Sequence, residues 1–340
     1  MLALHYPRYG YLEVAELPMP VPRRGEVLLR VGACGVCGSE LETFQSRSVR
    51  RPPPLVMGHE FCGIVEEVGP GVEQEWRGRR VVCNAVVPCL NCVRCRRGDT
   101  HLCGERQVFG MHRSGAFAGF VSVPVHCLVD WPAGLPAAAA CLAEPLANGV
   151  HVVGLVRHLD VKTALVIGSG PIGLMCQQAL QAMLGVKVII TDLNPARLAV
   201  AARLGASRTV DGKTENVLDC VHELTDGEGV DVVVDAVGSG GTKRSALKCC
   251  RPGGAVVWIG LHENEMTFDS YEVTLAEKQV FGTYSARLSE LEQALDLMKL
   301  GKVDVTSWVQ SFPLERSVEA FERMLSGSAD DVKAVIVNDE

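Results

Sequence analysis

The stretch Gly168-Ser169-Gly170-Pro171-Ile172-Gly173 limits the architecture more than any other part of the chain. It follows a short apolar run at 164–167 and opens a helical pattern over 172–184. A strand that turns this sharply into a helix uses its first glycine for the turn. The second lets backbone approach a pyrophosphate, and the third lets helix and strand pack closely. The helix N-terminus then offers free N–H groups to phosphates. Around this turn the signals alternate regularly. Strands are expected at 186–191, 230–234, 255–259 and 280–283, and a helix at 195–204 with Asn194 as N-cap and Pro195 at its first position. The strand runs are apolar throughout, not alternating, which predicts an α/β doubly wound parallel sheet covered on both faces.

Asp192 stands 24 residues after Gly168, at the end of the next expected strand. An acid there accepts hydrogen bonds from ribose hydroxyls and repels a 2′-phosphate, favouring NAD over NADP. Arg197 works against that preference. The expected cofactor set is therefore Gly168, Gly170, Pro171, Ile172, Gly173, Asp192 and Arg197. The bland alternative is a helix-capping glycine turn with a capping Asp.

At 340 residues the chain has room for about two domains. Residues 1 to about 145 differ in pattern from the rest. Expected strands at 26–31, 63–68 and 80–83 are separated by turn signals such as Gly69-Pro70-Gly71, predicting a mostly-β body with barrel-like curvature. After Glu144-Pro145 a helical stretch runs to about 158. The tail reads as helices at 288–300 and 314–325 and a strand at 332–337. A net charge of −7 argues against nucleic acid or an anionic membrane as the main partner. Residues 1–8 lack a signal-peptide core, and the apolar stretch 164–190 is broken by glycine, glutamine and lysine, so a cytoplasmic protein is expected.

Fourteen cysteines in such a chain point to metal rather than to a disulfide framework, which belongs to short secreted chains. Cys89-x2-Cys92-x2-Cys95-x7-Cys103 lies in a loop-like stretch at about 88–105. Four thiolates so close together suit a closed, structural tetrahedral zinc site, with His101 a bystander. An iron–sulfur cluster is the chemical alternative.

Cys37, His59, Glu60 and Glu144 cannot be joined by spacing, and each has a bland reading, such as Cys37 as a small buried apolar residue. A resemblance raises them. Gly58-His59-Glu60-x2-Gly63-x5-Gly69-x2-Val72 resembles the signature of zinc-containing medium-chain alcohol dehydrogenases, and Gly35-Val36-Cys37-Gly38-Ser39 is similar to that family's first zinc-ligand turn. The four-cysteine lobe and the glycine turn follow in the family's order, so the resemblance covers essentially the whole chain. It implies a GroES-like, mostly-β catalytic domain over 1–147, a Rossmann domain over 148–284, and a segment 285–340 that completes the catalytic domain. Gly38 and Ala143-Glu144-Pro145-Leu146 resemble the branch of sorbitol, threonine and galactitol-phosphate dehydrogenases.

By that resemblance Cys37 and His59 bind catalytic zinc, Glu60 and Glu144 supply or exchange the remaining protein ligation, and Ser39 relays the alcohol proton. The implied activity is NAD-dependent oxidation of a secondary alcohol, a polyol or sugar-alcohol derivative, by a homodimer or homotetramer whose strand 280–283 could pair with a partner's. An L-threonine 3-dehydrogenase-like enzyme is the alternative within this chemistry. A catalytically silent zinc- and nucleotide-binding protein is the alternative outside it. Three positions depart from the family. Glu40 stands where many relatives have Asp, Glu42 where a relay histidine is common, and Thr43 where sorbitol dehydrogenases have a tyrosine. Arg47, Arg50 and Arg51 read either as an anion receptor for substrate or as a solvated basic loop.

Overall fold

The computed structural model describes residues 1–327 and 332–338. The chain divides into two compact units. One comprises Met1–Ala147, Ser285–Gly301 and Val305–Glu340, and the other Asn148–Tyr284 with Lys302–Asp304. The segment expected to return as a block to the first domain thus leaves three residues behind. Their attachment is local: Gln178 Nε2 donates to Asp304 O (2.9 Å) and Asp304 N donates to Gln178 Oε1 (2.6 Å). Residues 328–331 and 339–340 of that segment lie outside the described residues.

In the second unit six parallel strands lie in the order Arg208–Asp211, Lys187–Asp192, Thr163–Ile167, Val230–Asp235, Cys250–Trp258 and Gln279–Gly282. The chain order reverses beside Thr163–Ile167, and a doubly wound sheet binds its ligand at the carboxyl ends of strands at such a point. Gly168 occupies that position. Val232, Val233 and Val234 are all fully buried, as the continuous apolar runs require of a sheet covered on both faces. Helix Pro195–Arg203 begins at Asn194, whose side chain accepts from Ala196 N and Arg197 N. Strand Arg208–Asp211 escaped the sequence because only Val210 of its four residues is buried.

The first unit carries a seven-stranded sheet. Its order is Leu128–Asp130, Arg80–Cys83, Glu60–Val68, Glu26–Gly35, Lys333–Val337, Val309–Pro313, with Phe120–Pro124 also paired to Glu26–Gly35. A three-stranded sheet of Tyr11–Glu16, Leu2–Arg8 and Leu55–Val56 shares its core. Aromatics are only 5% of the chain, but six fill this core: Tyr6, Phe61, Phe109, Phe117, Phe312 and Phe321. Phe61 and Phe109 meet edge to face with centroids 5.2 Å apart. Strand Val309–Pro313 was missed because its polar Gln310 and Ser311 hide the pattern. The expected helix at 314–325 begins instead as a 3₁₀ turn, Leu314–Arg316, before Ser317–Ser326. Among the described residues one helical stretch, Ala137–Val156, is long and apolar enough to cross a membrane, and 78% of its most apolar 18 residues are buried inside the protein.

Candidate metal centre and nucleotide turn

Three donors meet in the first unit. Strand Glu26–Gly35 ends two residues before Cys37, which caps helix Gly38–Ser46. Glu60 begins the neighbouring strand and stands opposite Gly35 in the register. A Cβ on Gly35 would lie 2.1 Å from Glu60 Oε2, so the glycine is what lets the carboxylate cross toward Cys37. The ligand atoms of Cys37, His59 and Glu60 all lie within 4.8 Å of one another. A thiol, an imidazole and a carboxylate at this separation are a donor set that suits zinc.

Glu40 ties the two ligand turns together. Its Oε1 accepts from Gly58 N (2.8 Å) and pairs with His59 Nδ1 (2.8 Å), while Oε2 accepts from Cys37 N (2.9 Å). The Nδ1 contact leaves Nε2 of His59 for a metal. Glu40 thus orients the His59 ring. Burial by itself would raise the Glu40 carboxyl, but the His59 charge and hydrogen bond outweigh it and hold the group below its ordinary range. His59 moves the opposite way: burial opposes its charge, yet Glu40 and Cys37 push its pKa well up.

Glu144 does not join the trio. The donors that lie within 4.8 Å of one another do not include Glu144. The three come from strand-end turns that Glu40 holds together, whereas Glu144 comes from the first turn of helix Ala143–Val156. It is nevertheless buried, and burial raises its pKa to about 7 against the pull of His59.

Lys333 is a participant that the sequence reading overlooked. Strand Lys333–Val337 flanks Glu26–Gly35 on the side away from Glu60, with Val335 opposite Gly35. Lys333 Nζ lies 2.5 Å from Glu60 Oε2 and donates to Val36 O (2.8 Å), and both charged side chains are buried. A lone lysine opening the run Lys-Ala-Val-Ile-Val was the available signal, since a buried ammonium needs a charged partner.

The arginine cluster does not form. Arg47 and Arg50 are exposed, but Arg51 is 3% exposed and its guanidinium is spent on the chain itself. Arg51 Nε donates to Gly110 O (3.0 Å), Nη1 to Ser39 O and Thr43 Oγ1 (both 2.9 Å), and Nη2 to Ser39 Oγ (3.1 Å). Ser39 Oγ in turn donates to Cys37 Sγ (3.4 Å). Glu42 is exposed, and Thr43 is buried against Ser39 O.

The four-cysteine lobe is assembled. Cys92 Sγ lies 3.5 Å from Cys95 Sγ and 3.9 Å from Cys103 Sγ, and Cys89 Sγ lies 4.0 Å from Cys95 Sγ. A tetrahedron with ~2.3 Å Zn–S bonds spaces its sulfurs ~3.8 Å apart, so the cage fits the ion. Backbone N–H groups, that of Cys95 foremost, draw the Cys92 thiol down to about 6. Loss of solvent and the neighbouring sulfurs push Cys95 up to about 12. Leu90, Val93 and Leu102 are exposed, leaving the lobe little apolar core of its own.

In the second unit the glycine turn separates its three roles. Gly168 has φ +96, and a Cβ on Gly173 would lie 1.8 Å from Gly168 O. At Gly170 a Cβ would meet nothing closer than Arg197 Nη1 at 4.0 Å, so the space over it is open to a phosphate. Pro171 and Ile172 form the first helical positions behind it. Asp192 ends its strand beside the turn, accepting from Ser169 N (2.6 Å) and Asn194 N (2.9 Å).

Residues 23–133 match the alcohol dehydrogenase GroES-like domain, and residues 171–299 match the zinc-binding dehydrogenase domain. L-threonine 3-dehydrogenase of Pyrococcus horikoshii is 32% identical, over 98% of this chain and 97% of its own. D-arabitol-phosphate dehydrogenase of Enterococcus avium is also 32% identical, over 97% and 95%. The structure of acetophenone reductase from Geotrichum candidum in complex with NAD superposes with a TM-score of 0.88 at 26% identity, covering 99% of this chain and 96% of that one.

Proposed function

Because the chain belongs to the zinc-dependent medium-chain alcohol dehydrogenases, with a GroES-like domain and a Rossmann-type domain, we propose that it oxidises the secondary alcohol of a polyol or sugar-alcohol derivative with NAD. The observation that carries this is the convergence of Cys37, His59 and Glu60 within 4.8 Å. Zinc held there supplies a Lewis acid that acidifies an alcohol and polarises a ketone, and the nicotinamide supplies the hydride acceptor.

The chain's own residues do the rest. Glu40 holds the His59 ring in the tautomer that offers Nε2, and Lys333 pairs with Glu60 in a buried setting. Ser39, exposed beside Cys37, receives the alcohol's proton. Glu144 is a buried carboxylate in reserve beside the trio. The cage of Cys89, Cys92, Cys95 and Cys103 takes a second, structural zinc. Gly168, Gly170, Pro171, Ile172 and Gly173 cradle the pyrophosphate, Asp192 selects NAD through the ribose, and Arg197 flanks that site. Homodimers or homotetramers are favoured by strand Gln279–Gly282, which ends the parallel sheet with alternate residues exposed, next to exposed Tyr271 and Leu275. A cytoplasmic location agrees with fourteen free cysteines.

The test is a screen of polyols, phosphorylated polyols, L-threonine and simple secondary alcohols with NAD and NADP, with and without chelator. We expect chelator-sensitive NADH formation that is fastest with a polyol or its phosphate. A preference for L-threonine would move the substrate to the amino-acid side of the same chemistry. A fully metal-loaded protein that turns over none of them would be a silent binding protein.

A further inference from the structure

Ser39 sits in an unusual hydrogen-bond setting. Its hydroxyl accepts from Arg51 Nη2 at 3.1 Å and donates to Cys37 Sγ at 3.4 Å, while its carbonyl accepts from Arg51 Nη1 and from Thr43 Oγ1. Arg51 is buried, and its remaining contacts, to Thr43 Oγ1 and Gly110 O, fix the plane of the guanidinium. A guanidinium has five N–H donors, no acceptor and a pKa above ~12, so it cannot take a proton from a neighbour. Thr43 Oγ1 donates to Ser39 O at 2.7 Å and accepts from Arg51 Nη1 at 2.9 Å. The buried side chain bonded to the Ser39 hydroxyl, Arg51, can only donate to it. Its proton therefore points away from Arg51, toward Cys37 Sγ.

We propose that Arg51 is a positioning residue for the Ser39 proton outlet: it holds the hydroxyl against Cys37 and turns its proton away from the guanidinium. This rests on the dehydrogenase reading above. As the alcohol O–H breaks, a new O–H bond forms at Ser39 Oγ. The hydroxyl's original proton leaves to water on the exposed face, and the serine ends neutral. The arginine thus replaces the substrate-anion role that its position in the sequence suggested.

The test combines S39A, R51K, R51M and the double variant R51M/S39A, each loaded with zinc and checked for metal content. S39A should lower kcat for alcohol oxidation by about a hundredfold, the range of one acid–base group. R51M should lower kcat by a comparable factor with KM for NAD unchanged. The double variant should be no more than about threefold worse than S39A, because the two residues act as one unit. R51K retains the charge but not the fork, and should fall between wild type and R51M. The cobalt-substituted enzymes give a readout without turnover: R51K and S39A should shift the thiolate-to-cobalt band in the same direction, as the hydroxyl leaves the sulfur. Losses that multiply in the double variant, or a cobalt band unmoved by R51K while S39A moves it, would overturn the proposal. Should R51M fail to fold, R51K and the cobalt spectra decide. Absence of turnover by the wild type would sink the dehydrogenase reading, while the spectra would still report whether Arg51 places Ser39.

Discussion

Single side chains carry opposite charges into the interior of the first unit, and their stability depends on being matched. Lys333 and Glu60 are 1% and 2% exposed at the side chain, with 2.5 Å between Nζ and Oε2. Replacing Lys333 by Met leaves the Glu60 carboxylate buried without its cation, and breaking such a pair from one side costs about 3–5 kcal/mol. Urea unfolding of the metal-free K333M protein should show that loss, and a change below about 1 kcal/mol would mean the pair is not structural. At this scale the sequence was legible in part. Cys37, His59, Glu60 and Glu144 were all named by resemblance, and the first three have ligand atoms within 4.8 Å of one another. Lys333 could not be paired with Glu60 from sequence, because nothing local to either residue records the other.

The glycine turn shows how an element encodes its own ligand. Gly173 has backbone 1.8 Å from where a Cβ would go, whereas Gly170 has open space to 4.0 Å. These two positions therefore predict different failures. G173A should disrupt the strand–helix junction and lower Tm by several degrees together with NADH affinity. G170A should keep the wild-type Tm yet weaken NADH binding about tenfold or more, since its methyl fills only the space the pyrophosphate needs. Equal thermal loss in both variants would refute the separation of roles. The turn, the Asn194 cap and the long apolar strands were readable because period and capping are local properties. Strands Arg208–Asp211 and Val309–Pro313 were not, because short or edge strands bury too few side chains to leave a pattern.

Across the whole molecule, the metal centres lie in one unit and the nucleotide turn in the other. Zinc removal should therefore act selectively. Metal analysis should find about two zinc ions per chain, one for each donor set. Exhaustive chelation should abolish alcohol oxidation and unprotect the amides of the 88–105 lobe, while NADH binding, followed by fluorescence, persists. Reloading at the trio must displace the proton that Glu40 and Cys37 favour on His59, so zinc affinity should rise with pH through neutrality and proton release should accompany binding. Loss of NADH binding on chelation, or uptake without proton release, would contradict this division.

The amino-acid sequence alone pointed to the glycine turn and the four-cysteine cluster, because each is written in contiguous residues whose spacing dictates local geometry. Only the tertiary structure decided that Glu60 is matched by Lys333 and that the Arg51 guanidinium bonds Ser39, Thr43 and Gly110. These outcomes depend on which strands lie side by side. Lys333 bonds Val36 across 297 residues of chain, a distance over which only packing, not propensity, can select a partner.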